Sequence, residues 1–326
     1  MLSDRFQRTI SYLRISVTER CNFRCVYCMP AEGVAPTAKD EILSFEEIAR
    51  VVGVGARLGL SKIRLTGGEP TIRADLPGLV QMLDGIEGIR EIAMTTNASR
   101  LSELAEPLRR SGLRRVNISL DTLRPARNLD LTRRHLLPDV LAGVQAAIAA
   151  GFESVKFNAV ILRGINEDEL CELAAFAHAR NAQMRFIEYM PMGGARLDER
   201  NKTVTMGEML VRLRERYDLV REESHSSDPA RGWICTRTGT RIGFVTSMSE
   251  HFCDSCNRMR LTAHGSLRPC LHQDAEVDVK RVLRNGGDDA AIREAFLNAA
   301  NLKWAGHQMN AFVPIYSSKE MLTIGG

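Results

Sequence analysis

Cys21-Asn22-Phe23-Arg24-Cys25-Val26-Tyr27-Cys28 is the stretch from which the rest of the chain is read. Its three cysteines follow the spacing C-x3-C-x2-C. Three thiolates on one short loop cannot pair into disulfides without a remainder. They can converge on one metal centre, because thiolates are soft ligands for iron–sulfur clusters, zinc or copper(I). A four-iron cube usually takes four cysteines, so a set of three leaves one iron open to a substrate or cofactor. A zinc knot with a fourth ligand from elsewhere is the other reading, although structural zinc sites more often pair C-x2–4-C with a distant second pair.

The surroundings of the loop set its place in a fold. Before it, Tyr12-Leu13-Arg14-Ile15-Ser16-Val17 alternates and reads as a strand. After it, Ser44-Phe45-Glu46-Glu47 is a capping box that opens a helix running to about Gly59. Lys62 to Thr66 is a second strand, ending in Gly67-Gly68-Glu69-Pro70. Further strands are expected at Glu91–Thr96, Arg115–Ser119, Ser154–Val160 and Gln183–Tyr189. Helices are expected around Pro77–Leu83, before Gly112, and over Pro138–Ala150 and Glu167–Arg180. Six βα units in series call for parallel strands with helices outside, with the site at the C-terminal strand ends. The fold class is therefore α/β, a partial (β/α)6 TIM-type barrel, with a smaller α+β domain after it.

Thr205-Met206-Gly207-Glu208 opens one more amphipathic helix, ending near Tyr217. The charged, Ser-, Pro- and Gly-rich stretch from Arg221 to Gly232 places the domain boundary, giving units 1–220 and 221–326. The second unit reads as short strands and loops until helices around Val277–Leu283 and Ala290–Ala299, and it would profit from a metal staple.

Several polar residues are expected at the barrel mouth or on its inner face. The two glycines of Gly67-Gly68-Glu69-Pro70 permit positive φ, and the amides they free can hold the polar end of a ligand. Arg14 and Arg64, facing inward together, suit phosphate or carboxylate. Thr95-Thr96-Asn97 and Ser119-Leu120-Asp121 end two strands with small polar groups. Ser154, Lys156 and Asn158 share one strand face and Val155, Phe157 and Ala159 the other. The helices claim the apolar face, so Lys156 points into the barrel and needs an anionic partner. Glu188 and Met190 reach the mouth by the same parity.

A second trio, Cys253, Cys256 and Cys270, is spaced C-x2-C-x13-C. His251, His264 and His272 are near enough in sequence to complete a Cys3His zinc site. Asn257-Arg258-Met259-Arg260 follows directly, and in an extended segment Arg258 and Arg260 face the same way. Two guanidiniums beside a metal centre suit a phosphate site better than a structural knot. Cys171 and Cys235 stand outside both trios and read as ordinary thiols.

Composition narrows the classes. The chain has 326 residues, 44% hydrophobic, with eight cysteines and a net charge of +4. That balance is too mild for a duplex-binding protein, and aromatics at 6% leave no stacking stripe for single strands. No run of about 18 apolar residues is present to span a membrane. Met1-Leu2-Ser3-Asp4-Arg5 lacks the apolar core of a secretory signal, so a reducing, cytoplasmic compartment is expected, where thiols hold metal rather than pair.

The C-x3-C-x-aromatic-C loop resembles the signature of the radical S-adenosylmethionine (SAM) enzymes. With Gly67-Gly68-Glu69-Pro70, the second trio, Asn257-Arg258-Met259-Arg260 and the terminal Gly325-Gly326, the chain from Tyr12 onward resembles the GTP 3′,8-cyclase family within them. One departure is Ala98, where that family usually has glycine after Thr-Thr-Asn. The resemblance implies two [4Fe–4S] clusters, the first on Cys21, Cys25 and Cys28 and the second on Cys253, Cys256 and Cys270. It implies a SAM site with Tyr27, Gly68, Ser119 and Met190. It implies a GTP site with Arg14, Arg64, Thr95, Lys156, Arg258, Met259 and Arg260. The implied reaction opens molybdenum cofactor biosynthesis: a 5′-deoxyadenosyl radical from SAM takes hydrogen from the ribose 3′ carbon of GTP, and that carbon closes on C8 of guanine. It further implies a flavodoxin- or ferredoxin-type reductant and a downstream cyclic pyranopterin monophosphate synthase, and it allows a homodimer. The Gly-Gly tail is expected to reach the pocket. Rivals are another radical SAM enzyme with an auxiliary cluster, such as a peptide maturase, and a zinc-stapled nucleic-acid-binding module.

Overall fold

The computed structural model describes residues 1–35, 37–191, 202–222 and 228–307. The terminal Gly-Gly lies outside the described residues. The first half alternates strands and helices. The strands are β1 (Tyr12–Ser16), β2 (Lys62–Thr66), β3 (Glu91–Thr96), β4 (Arg115–Ser119), β5 (Ser154–Ile161) and β6 (Gln183–Glu188). Between them run α1 (Phe45–Arg57), α2 (Leu76–Asp84), α3 (Leu101–Arg110), α4 (Pro125–Thr132), α5 (Leu137–Ala149) and α6 (Leu170–His178). β1 through β6 pair in sequence order, all parallel. Leu13, Ile15, Ile63, Leu65, Ile92, Met94, Val116, Ile118, Phe157 and Ala159 are fully or almost fully buried in one core. These are the outward-facing positions, and the intervening residues face the barrel interior, as alternation along a strand demands.

The expected capping box on α1 is formed. Ser44 Oγ accepts the Glu47 amide at 3.1 Å, and Glu47 Oε2 accepts the Ser44 amide at 2.7 Å. α4 was not anticipated. It begins at Pro125, where a missing N–H costs nothing, and its far end braces the cysteine loop. At Ala98 the backbone takes φ 64°, the left-handed region that favours glycine, at the position where the resemblance implied one.

The second half reads α7 (Met206–Arg214), β7 (Leu219–Arg221), β8 (Ala230–Cys235), β9 (Arg241–Val245), β10 (Arg258–Leu261), β11 (Ser266–Arg268), β12 (Val277–Asp278), α8 (Val279–Arg284) and α9 (Asp289–Asn301). These strands are not a separate sheet. β10 adds parallel to β1 and β9 adds parallel to β6, so one sheet runs β12-β11-β10-β1-β2-β3-β4-β5-β6-β9-β8-β7. The chain after β6 thus extends both edges of the barrel, and the second cysteine trio enters beside the first strand. No described helix is long and apolar enough to cross a membrane.

Candidate active site

A cavity of about 860 Å³ runs through the barrel interior, lined from the strand starts at Tyr12, Lys62 and Glu91 to the C-terminal ends at Thr66, Thr96 and Ser119. Cys21, Cys25 and Cys28 line it, and so do Cys253, Cys256 and Cys270. The two trios, more than 200 residues apart in sequence, therefore face one space. Cys171, on α6, and Cys235, buried on β8, do not line it.

The first loop is held by its main chain. The Arg24 and Val26 amides donate to the Thr132 and Leu131 carbonyls at the end of α4, each at 2.9 Å. Arg133 Nη1 donates to the Arg24 carbonyl at 2.9 Å. Gly67 and Gly68 press against the residues that lead into the loop. A Cβ on Gly67 would lie 2.4 Å from the Thr18 oxygen, and one on Gly68 would lie 2.3 Å from the Arg20 oxygen. The Gly68 and Glu69 amides donate to Thr18 and Arg20, both at 2.8 Å. These two amides are therefore not free for a ligand, contrary to the expectation from sequence. The glycines serve close backbone approach instead.

Electrostatics differ between the trios. Burial pushes Cys21 up to about 11, helped by the Glu69 charge. Burial drives Cys25 well above its usual range, with Cys28, Asp121 and Cys21 adding to it. Buried together, these thiols ionise only where a strong cation compensates them, as a metal cluster does. Burial raises Cys253 too. At Cys256 burial is outweighed by Lys303 and Arg258, and the thiol falls below its usual value. Among the described residues no three His, Cys, Asp or Glu side chains sit as one metal ion would draw them. His264 is committed elsewhere, its Nε2 lying 2.8 Å from Glu19 Oε1.

The cationic wall follows from strand register. Arg14 on β1 is opposite Arg64 on β2 and opposite Arg260 on β10. Adjacent strands are about 4.8 Å apart, so three guanidiniums form one row across the interior. Burial and Arg260 drive Arg14 well below its ordinary value. Burial likewise brings Arg260 down to about 10. Guanidiniums remain protonated in proteins, so the row suits an anion. Arg64 donates to Tyr12 Oη and, at 3.3 Å, to Thr95 Oγ1. Lys156 faces inward as expected, brought to about 8 by burial and the Arg185 charge.

Tyr27, Gly68, Ser119 and Met190 also line the cavity, as do Arg14, Arg64, Thr95, Lys156, Arg258 and Arg260. Tyr27 Oη donates to Asp121 Oδ2 at 2.6 Å, and burial raises Asp121 to about 6. Met259 differs. Its side chain is fully buried in the core, opposite Leu13, so only its main chain can meet a ligand. Arg185 was overlooked. It lies on the inner face of β6 and pairs with Asp228 at 2.9 Å, and both line the cavity. Met184 and Phe186 are buried in the core, so strand parity turns Arg185 and Ile187 inward, the opposite of the parity expected for Glu188 and Met190; those two residues reach the cavity at and just past the end of the regular strand. Lys303, which follows α9, also lines the cavity and had no such signal.

Glu188 is completely buried at the end of β6. Its carboxylate accepts the amides of Met206 at 2.9 Å, Met248 at 2.8 Å and Ser249 at 2.9 Å, together with Ser249 Oγ at 2.5 Å. It thereby ties the mouth of β6 to the segment that runs into Cys253.

Residues 15–177 match the family model of the Radical SAM superfamily, and residues 182–309 match that of Molybdenum Cofactor Synthesis C. Over 329 residues the chain is 39% identical to the GTP 3′,8-cyclase of Hydrogenovibrio crunogenus, covering 100% of this chain and 99% of that protein. The chain belongs to the GTP 3′,8-cyclase family. The Moorella thermoacetica cyclase is 45% identical over 94% of this chain and 95% of its own. The mitochondrial cyclase of Arabidopsis thaliana is 40% identical, covering 100% of this chain and 84% of that protein. Among solved structures, Streptococcus suis SuiB bound to S-adenosylmethionine has a TM-score of 0.59 at 17% identity, over 88% of this chain and 68% of that one, which shows the shared fold. The cyclase family is a radical SAM family, and two [4Fe–4S] clusters and SAM are its cofactors. The two open thiol trios have the donor chemistry such clusters take.

Proposed function

We propose that the chain converts GTP to (8S)-3′,8-cyclo-7,8-dihydroguanosine 5′-triphosphate, the first step of molybdenum cofactor biosynthesis. The observation that supports it best is the single cavity lined by both cysteine trios and the arginine row. Cys21, Cys25 and Cys28 would hold the first cluster, and Cys253, Cys256 and Cys270 the second. A cluster held by the first trio would supply one electron, taken from the reductant, for cleavage of SAM to methionine and a 5′-deoxyadenosyl radical.

The chain's own residues bind, orient and shield. Tyr27, Gly68, Ser119 and Met190 hold SAM, with Gly68 offering its carbonyl because its amide is already used. Arg14, Arg64, Arg258 and Arg260, with Thr95 and the Met259 main chain, hold GTP, and Lys156 and Arg185 extend this charged wall. Several cations at fixed spacing match a triphosphate, bidentately for the guanidiniums and as a point charge for lysine. The barrel wall and the strands added at both edges keep water from the reacting ribose. The division at 220/221 is then one of role: residues 1–220 supply the SAM half and 221–326 the second-cluster half of one site.

A flavodoxin- or ferredoxin-type protein is the expected electron donor, and a cyclic pyranopterin monophosphate synthase is the expected recipient of the product. All eight cysteines are free thiols, in keeping with a cytoplasmic setting. The test is anaerobic incubation of the iron-loaded protein with GTP, SAM and a reductant. A cyclised nucleotide together with 5′-deoxyadenosine is expected. 5′-Deoxyadenosine without nucleotide consumption would refute the substrate assignment.

A further inference from the structure

Lys303 follows α9 and is 3% exposed, yet it lines the cavity. Its Nζ donates to the Arg258 carbonyl at 2.8 Å and to the Pro269 carbonyl at 2.6 Å. Arg258 stands two residues after Cys256, and Pro269 immediately precedes Cys270. One ammonium therefore clasps the two arms that carry two of the three thiols. A lysine ammonium has three N–H donors. Among the described residues the third has no partner, and it is left to the cavity.

Carbonyl dipoles do not neutralise a charge, and a buried ammonium is costly unless an anion compensates it. Among the described residues no carboxylate pairs with Lys303, while the nearby Asp274 and Glu276 are drawn to Arg268. The compensating anion on offer is the thiolate trio itself. Cys253 has a similar clamp: Arg8 Nη1 donates to its carbonyl at 2.8 Å, but Arg8 is already paired with Asp4 at 2.6 Å. Lys303 is thus a buried charge of this centre with no carboxylate partner among the described residues, and it acts on Cys256 together with Arg258.

We propose that Lys303 is the positioning residue of the second cluster, fixing the Cys256 and Cys270 arms, and that its ammonium makes that cluster easier to reduce. Adding one electron makes the centre more negative by one charge, and a fixed buried cation stabilises the reduced form more than the oxidised one. This rests on the reading that Cys253, Cys256 and Cys270 hold a cluster.

The test uses the full-length chain with Cys21, Cys25 and Cys28 replaced by alanine, so that only the second centre loads with iron. Loading of about four irons establishes that reading; zinc or no metal in this parent refutes the cluster assignment itself. On the loaded parent, a reductive titration followed by electron paramagnetic resonance gives the midpoint potential. Lys303→Met and Lys303→Gln are expected to shift the midpoint to more negative values, while Lys303→Arg stays near the parent. An unchanged midpoint in the Met and Gln variants at full iron content overturns the proposal. If the Met variant does not load, the Gln variant, which keeps N–H donors without charge, carries the comparison. Loss of iron from Met and Gln with retention in Arg supports the proposal. Loss from all three, Arg included, overturns it.

Discussion

Lys156 turns the electrostatics of the cavity into a pH dependence. Burial comes first and the Arg185 charge second in bringing it from 10.5 to about 8. A triphosphate beside it restores the charged form, so its pKa in the complex lies above that in the free protein. Binding then takes up a proton at any pH between the two values. The protonated form binds better, so affinity is flat below about pH 8 and falls as pH rises above it. One titrating group limits the slope to about tenfold per pH unit. Return of Lys156 to its ordinary value in the complex, 10.5 − 8, corresponds to about 2.5 decades. Lys156 is not wholly enclosed, and solvent screening reduces this to about one to two decades. GTP affinity of the anaerobic, iron-loaded protein, measured calorimetrically from pH 7 to 9.5 in two buffers of different ionisation heat, should show the decline and the proton uptake. Lys156→Met should bind at least about tenfold more weakly at pH 7, the loss of one charge-assisted contact, and should lose the decline above pH 8. The same pH profile in the variant and the parent would refute the reasoning.

Other perturbations separate the parts of the site. Arg258→Ala should weaken GTP binding by about ten- to hundredfold, as loss of a charge-assisted contact of about 1.5–3 kcal/mol requires, while iron content and uncoupled SAM cleavage persist; iron loss in this variant contradicts the phosphate role. Gly68→Ala forces a Cβ to within 2.3 Å of the Arg20 oxygen, so the chain should fold but lose SAM affinity in equilibrium dialysis, and unchanged affinity would count against the SAM site. Glu188→Gln turns an N–H2 toward amide donors that need an acceptor, and it should cost about 1–3 kcal/mol, read as a lower melting temperature. It should also raise the ratio of 5′-deoxyadenosine to cyclised nucleotide. A normal ratio at a lowered melting temperature would make Glu188 structural alone.

Much of the barrel was legible because alternation is a local signal. Leu13 and Ile15 against Tyr12 and Arg14 mark the two faces of β1 without any tertiary knowledge, and Lys156 on β5 was placed the same way. The cysteine spacings were equally local. What the sequence concealed is long-range. Nothing around Arg258 announces that β10 pairs in parallel with a strand nearly 250 residues earlier, yet that pairing builds the Arg260–Arg14–Arg64 row. Lys303 sits in a short segment after α9, without periodicity, and its importance comes from two carbonyls brought beside it by folding. Gly67 and Gly68 were recognised as a motif, but their physical task, admitting the backbone of Thr18 to Arg20, depends on a packing contact between segments about 50 residues apart. Met259 was grouped with its arginine neighbours, although strand parity turns its side chain into the core.

The central claim is that SAM and GTP share one cavity between the trios, close enough for direct hydrogen transfer. Anaerobic turnover with GTP deuterated at the ribose 3′ carbon tests it most directly. The account predicts deuterium in 5′-deoxyadenosine, formed in step with the cyclised nucleotide. Deuterium-free 5′-deoxyadenosine alongside consumed GTP would contradict it.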